Sequence, residues 1–175
     1  VGDYMKYKEM SQNKVLIVDD EVFVRELLFE FLTKEDYQVI LADCGEKAVE
    51  LIESEPVEVA LIDLKMPGID GTETLKKIKK VNPHTLSIIM TGYPTLESSI
   101  EALRCGAYDY VIKPFKLSEL KSSIEKALHE YKLRSEIGML KNRIKTLEEE
   151  LKEHLTLEGL NLKDSPERKR EILSE

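Results

Sequence analysis

Several things are scarce in this chain, and each scarcity closes a class of explanation. Only two of its 175 residues are cysteine, Cys44 and Cys105, and they follow no metal-ligand spacing. They read as small buried residues of a reduced chain. There is neither an apolar leader nor a hydrophobic run of membrane length, so the expected location is cytoplasmic, with no membrane partner. Basic residues are outnumbered, and a net charge of -8 leaves no excess with which to hold nucleic acid. The one small basic cluster, Arg168-Lys-Arg170, is flanked by acids and reads as a solvated helix face. Proline is missing, and glycine occurs once, as Gly138, from Leu117 to Leu157.

What remains is an apolar share of 42%, enough for a packed core, in a length that suits one ordinary domain with an appendage. Val1 to Asn13 lack a clear period and are expected to form a tail. Val15-Leu-Ile-Val18 and Val57 to Ile62 are β-branched, apolar runs of the kind a strand shows when both sheet faces are covered. Between and after them come a helix from about Glu21 to Lys34 with its stripe on Phe23, Leu27, Leu28, Phe31 and Leu32, and a strand over Tyr37 to Leu41. Gly45 breaks the chain, and Ala48, Val49, Leu51 and Ile52 mark a helix ending before Pro56. Beyond Asp63 the Met66-Pro67-Gly68 turn and Gly71 imply a tight bend, and Thr74, Leu75 and Ile78 a helix that stops before Pro83. Leu86 to Met90 is a strand, Leu96, Ile100, Ala102 and Leu103 a helix closed by Gly106, and Tyr108 to Ile112 a fifth strand.

Strand and helix thus alternate five times, with connections that allow only right-handed crossovers. The expected fold is α/β, a doubly wound five-stranded parallel sheet. Its carboxyl edge, where open α/β sheets bind ligands, collects Asp19, Asp20, Asp63, Thr91 and Lys113. Taken singly these residues are unremarkable: Asp19 and Asp20 could cap a helix, Thr91 could be another cap, and Lys113 a surface lysine. Their coincidence at four strand ends is what points to chemistry.

Three aspartates in one cleft repel one another unless a cation neutralises them, and an all-oxygen cluster suits Mg²⁺. A carboxylate can attack phosphorus to form an acyl phosphate, a reaction that needs positioning and charge neutralisation. Asp63 sits where the nucleophile should. Asp19 and Asp20, together with Asp63 itself, would hold Mg²⁺, directly or through water, with the backbone carbonyl of Lys65 completing the protein ligands. Lys113 would pair with one phosphoryl oxygen, and the Thr91 hydroxyl would donate to another.

Val15-Leu-Ile-Val-Asp-Asp-Glu21, Leu61-Ile-Asp-Leu-Lys-Met-Pro-Gly68, Met90-Thr-Gly92 and Ala107-Tyr-Asp-Tyr-Val-Ile-Lys-Pro-Phe115 fall in order and at characteristic spacing. With them the segment from about Lys14 to Tyr131 resembles the receiver domain of two-component response regulators. The resemblance implies the strand order 2-1-3-4-5 and a phosphoryl group passing to Asp63 from a phosphohistidine on a sensor histidine kinase, with Mg²⁺ required. It also implies that Thr91 is a switch hydroxyl, that Tyr110 is the aromatic that turns inward with it, and that Lys113-Pro114 is cis. Tyr110 reads equally as a half-exposed strand aromatic. Lys65, two residues after the phosphoacceptor, stands where the family varies and could tune the lifetime of the acyl phosphate. The added charge would bias a two-state face made of the fourth helix and fifth strand.

The proline-free stretch is expected to be a single helix over Leu117 to Leu157. Leu117, Leu120, Ile124, Ala127, Leu128 and Tyr131 repeat near the helical period and would cover the sheet. Leu133, Ile137, Leu140, Ile144, Leu147 and Leu151 then alternate in steps of four and three, the seam of a coiled coil. At 100° per residue Leu133 lies about 180° from Ile124, so the second stripe turns away from the first. Residues 14–131 are thus expected to be the receiver, and 132–158 a coiled-coil helix forming a parallel homodimer. A helix that folds back or frays is the competing reading. Gly159 should end the helix, and residues 159–175 read as a linker and the start of an output domain, with Asp164-Ser165-Pro166-Glu167 as a new helix start.

Other functions are weaker fits. An aspartyl-phosphate phosphatase or mutase needs a second acid two residues after the nucleophile, where Lys65 stands. A histidine kinase fragment would use His129-Glu130, but no proline follows in the expected place, and His84, His129 and His154 read as surface histidines. A dimeric adaptor with a vestigial site sits poorly with a complete set of cleft residues.

Overall fold

The computed structural model describes residues 13–157. The tail over residues 1–12, the helix stop at Gly159 and the helix start at Asp164 lie outside the described residues. Elements alternate throughout: β1 (Lys14–Val18), α1 (Val22–Lys34), β2 (Gln38–Ala42), α2 (Gly45–Ser54), β3 (Val59–Asp63), α3 (Gly71–Val81), β4 (Leu86–Thr91), α4 (Leu96–Arg104), β5 (Asp109–Ile112) and α5 (Leu117–Leu157). The chain divides into two compact units between Leu133 and Arg134.

The first unit is a parallel sheet in the order β2-β1-β3-β4-β5. Its central strands are buried along their whole length, which is why they are written as uninterrupted apolar runs. Residues of alternate parity supply two cores. On one face Val15, Ile17, Leu61, Ile88 and Met90 pack with Leu28 and Leu32 of α1 and Leu120, Ile124, Ala127 and Leu128 of α5. On the other, Leu16, Val18, Ile62 and Ile89 pack with Ala48 and Ile52 of α2, Leu75 and Ile78 of α3, and Ala102 of α4. Each fully buried leucine or isoleucine contributes roughly 2 kcal/mol.

Three expectations need correction. The core face of α1 is Val24, Leu28, Phe31 and Leu32, so the expected stripe holds at its last three members but not at Phe23, which is 74% exposed, or Leu27, exposed as well. Gly45 does not break the chain but is the first residue of α2, where a Cβ would come within 2.0 Å of the Thr74 hydroxyl. Cys44 and Cys105 are only partly buried, flanking the start of α2 and the end of α4.

Register decides which strand ends meet. Val18 pairs with Ile62, Asp63 with Met90, and Thr91 with Ile112, so Asp19, Asp63, Thr91 and Lys113 arrive side by side at the carboxyl edge. The bend after β3 is made by Gly68, at φ 81°, where a side chain would be strained. Gly71 has a different reason: α3 starts so close to β3 that its Cβ would stand 2.2 Å from the Asp63 carbonyl oxygen.

The second unit, described to Leu157, is the continuation of α5. Ile137, Leu140, Ile144, Leu147 and Leu151 of the seam are exposed by 46 to 64%. Among the described residues no helix is long and apolar enough to cross a membrane.

Candidate functional site

Asp63 closes β3 and is only 6% exposed. Its Oδ2 accepts from the Lys65 amide at 2.8 Å and its Oδ1 from Lys113 Nζ at 2.7 Å. The same ammonium reaches Asp19 Oδ2 at 2.7 Å, and Asp19 Oδ1 accepts from the Glu21 amide at 3.0 Å. Asp19 is fully buried. Two carboxylates from β1 and β3 are therefore bridged by one lysine from the turn after β5, whose Lys113-Pro114 bond is cis.

Burial, the largest influence, pushes the Asp63 carboxyl above the usual carboxylate range. The hydrogen bond and charge of Lys113 oppose that shift without cancelling it, and repulsion from Asp19 adds to it. For Lys113 desolvation is again the largest single influence and acts downward. Its bonds and attraction to Asp19 and Asp63 together outweigh it, so the ammonium titrates above its ordinary value.

The remaining residues take distinct places. Asp20 is exposed at the mouth, out of the lysine bridge, so no three acidic, histidine or cysteine side chains among the described residues form a ready-made metal cage. Thr91 is buried at the end of β4, its Oγ1 accepting from the Tyr93 amide at 3.1 Å. Tyr110 is partly buried against the core under α4, and its hydroxyl lies 3.0 Å from Ser98 Oγ. Lys65 is exposed and meets Asp63 through its backbone amide.

Charge and donor type test the fit of a metal. Asp19, Asp20 and Asp63 set three carboxylates against the one ammonium of Lys113, which leaves two negative charges for a divalent ion. All the donors are oxygen, the set Mg²⁺ prefers. The residues present fit that ion.

Two participants were not anticipated. Arg25 donates through Nη1 to the Asp19 carbonyl oxygen at 2.6 Å. Ser98 bonds Tyr110 while closing the capping box of α4 with Thr95. The Thr95-x-x-Ser98 spacing carried a weak signal for the box; nothing in the sequence singles out Arg25.

Comparison with known proteins agrees with the geometry. The family model for the response regulator receiver domain matches residues 15–125. Regulatory protein AtoC of Escherichia coli (strain K12) is 39% identical over 134 residues, which are 77% of this chain and 29% of that protein. The chain thus spans less than a third of that relative. Sporulation initiation phosphotransferase F of Bacillus subtilis (strain 168) is 38% identical over 119 residues, 68% of this chain and 96% of that protein. A crystal structure of a CheY-like receiver domain protein from Methanospirillum hungatei JF-1 aligns with a TM-score of 0.69 at 35% identity, covering 71% of this chain and 99% of that one. The chain belongs to the response regulator receiver domain family, signalling modules of two-component systems that accept a phosphoryl group, work with histidine kinases and in general bind Mg²⁺.

Proposed function

We propose that Asp63 is the phosphoacceptor. The observation that carries this reading is a nearly buried carboxylate fixed at a strand end by Lys113 and by the Lys65 amide. One Asp63 oxygen attacks phosphorus of a phosphohistidine on a sensor kinase. The phosphorus–nitrogen bond breaks, and its electron pair stays on the imidazole. Asp19 and Asp20, with the Lys65 carbonyl, hold Mg²⁺. When bound, that ion neutralises charge on the phosphoryl oxygens. Lys113 exchanges a carboxylate oxygen for a phosphoryl oxygen, and the Thr91 hydroxyl donates to another. The same residues assist phosphorylation and later hydrolysis of the acyl phosphate.

Downstream, movement of Thr91 toward the phosphoryl group draws on the loop to α4, and Tyr110 follows. The exposed seam from Leu133 to Leu151 pairs two chains as a parallel coiled coil and passes the change to an output unit, which we read as transcriptional. Support for the output lies in the length of AtoC beyond the matched part. The reading places the protein in the cytoplasm.

The test uses acetyl phosphate and Mg²⁺ with mass spectrometry of the wild type and Asp63→Asn. One acid-stable, base-labile phosphoryl adduct on the wild type alone is the expected result. An adduct retained by the variant removes the assignment. Beryllofluoride with Mg²⁺ and light scattering then reports whether occupancy changes the oligomeric state.

A further inference from the structure

Arg25 stands where helix electrostatics argue against a cation. It is the fourth residue of α1, next to the helix end that carries partial positive charge. It is also partly buried, so the side chain gives up rotamer freedom. Something local must offset both. Its Nη1 reaches the Asp19 carbonyl oxygen at 2.6 Å, a charge-assisted bond.

That carbonyl belongs to the peptide joining the two aspartates at the end of β1. The Asp19 amide donates to Ala42 of β2 at 3.2 Å, and the two carboxylate oxygens accept from the Glu21 amide and from Lys113. With Arg25 included, every polar group of Asp19 has a partner: Ala42 on β2, Glu21 and Arg25 at the start of α1, and Lys113 after β5. The peptide plane between residues 19 and 20 is then fixed, and with it the direction in which Asp20 leaves the backbone. The guanidinium also acts on the loop after β2. Asp43 is held below the usual carboxylate range by a backbone hydrogen bond first and Lys47 next, with Arg25 a smaller contributor.

We propose that Arg25 is a positioning residue for the divalent-cation site: by clamping the carbonyl between Asp19 and Asp20 it sets the spacing of the two carboxylates that receive the ion. This rests on the assignment of those aspartates to Mg²⁺ given above. It differs in sign from a purely electrostatic role. A guanidinium beside a cation site repels the ion, so on charge alone its removal would tighten binding. As a clamp, its removal loosens binding. A merely structural role would lower the melting temperature and leave affinity alone.

The experiment titrates Mg²⁺ into the full chain by calorimetry, well below the melting temperature, for wild type, Arg25→Met, Arg25→Lys and Asp20→Asn. Arg25→Met is expected to weaken Mg²⁺ binding about tenfold, the lower end for loss of a group that orients a metal ligand. Arg25→Lys, whose ammonium can donate to the same carbonyl, should recover most of that loss. Equal or tighter binding by Arg25→Met overturns the proposal. If that variant does not fold, Arg25→Gln, neutral and too short for the carbonyl, is read by the same criterion. Asp20→Asn separates the two layers of inference. If it binds like wild type, the cation site itself is misassigned and the clamp falls with it; if it alone weakens binding, only the clamp fails.

Discussion

Replacing Gly71 by alanine sets two well-known effects against each other, and the structure decides the sign. Alanine favours helix over glycine by up to about 1 kcal/mol, and at a compatible site the exchange stabilises through the unfolded chain. At the first residue of α3, however, the new Cβ would sit 2.2 Å from the Asp63 carbonyl oxygen and 2.8 Å from Leu64 Cα. The first distance lies 0.8 Å inside the 3.0 Å that real Cβ atoms respect. Both neighbours are backbone atoms, so no rotamer change relieves the clash, and the Gly71 amide bond to the Leu64 carbonyl, 3.0 Å long, is strained with it. Overpacking of this kind costs about 1–3 kcal/mol, and a lost hydrogen bond about 1 more. After subtracting the propensity gain, the net is about 2 kcal/mol of destabilisation, or a fall in Tm on the order of 8 °C. Urea and thermal unfolding followed by tyrosine fluorescence would read it, in a chain with no tryptophan to interfere. Because the displaced atoms carry Asp63, phosphorylation by acetyl phosphate should slow by about tenfold as well. Gly92→Ala is the control, since nothing lies within 4 Å of a Cβ there. A Gly71→Ala protein that melts at or above the wild-type temperature and is phosphorylated at the wild-type rate would refute the packing argument.

Three further outcomes follow from the site and the seam. Asp63 has a folded pKa raised by burial above an unfolded value of about 4. Its favourable contribution is therefore present below that unfolded value and is lost as pH rises through the folded one. In EDTA, Asp63→Asn should accordingly gain on the wild type in Tm as pH rises above about 4, and Mg²⁺ should narrow the gap; a difference independent of pH contradicts this. Lys113→Met leaves the buried Asp19 beside Asp63 without their shared cation and should destabilise by about 3 kcal/mol in urea melts, with partial recovery in Mg²⁺. No loss of stability would mean the bridge is worth little. Ile144→Glu, at an exposed seam position, should turn a dimer into a monomer by light scattering without lowering the melting temperature of the sheet, and a wild type already monomeric at micromolar concentration removes the coiled-coil reading.

Much of the fold was legible because burial on both faces forces a strand such as Val59–Asp63 to be written in apolar residues, with glycine and proline marking the turns. The face of α1 was legible only in part, at Leu28, Phe31 and Leu32. Val22, Phe23, Leu27 and Phe29 are apolar yet exposed, so apolar residues surround the helix and periodicity alone cannot choose among them. Gly71 and Gly45 were read as a bend and a chain break, but each is required by how closely another segment approaches, a long-range fact with no local signature. At the site, Asp19, Asp63 and Lys113 could be placed together from strand ends, because register in a parallel sheet transmits position faithfully. Arg25 could not, since its partner is a backbone carbonyl that every residue possesses. The bonds from Lys113 to both carboxylates were not among the expectations, which set that lysine opposite a phosphoryl oxygen.

The Ser98 hydroxyl at the head of α4 is oversubscribed. It owns one hydrogen and two lone pairs. Thr95 already approaches it with an amide at 3.2 Å, a hydroxyl at 2.9 Å and a carbonyl at 3.0 Å, and the Tyr110 phenol arrives at 3.0 Å. Three places cannot satisfy all of them at full strength, so the tyrosine and the helix cap compete for the same oxygen. A ring held by so contested an oxygen can leave without stranding the Ser98 hydroxyl, which lowers the cost of releasing the aromatic on β5.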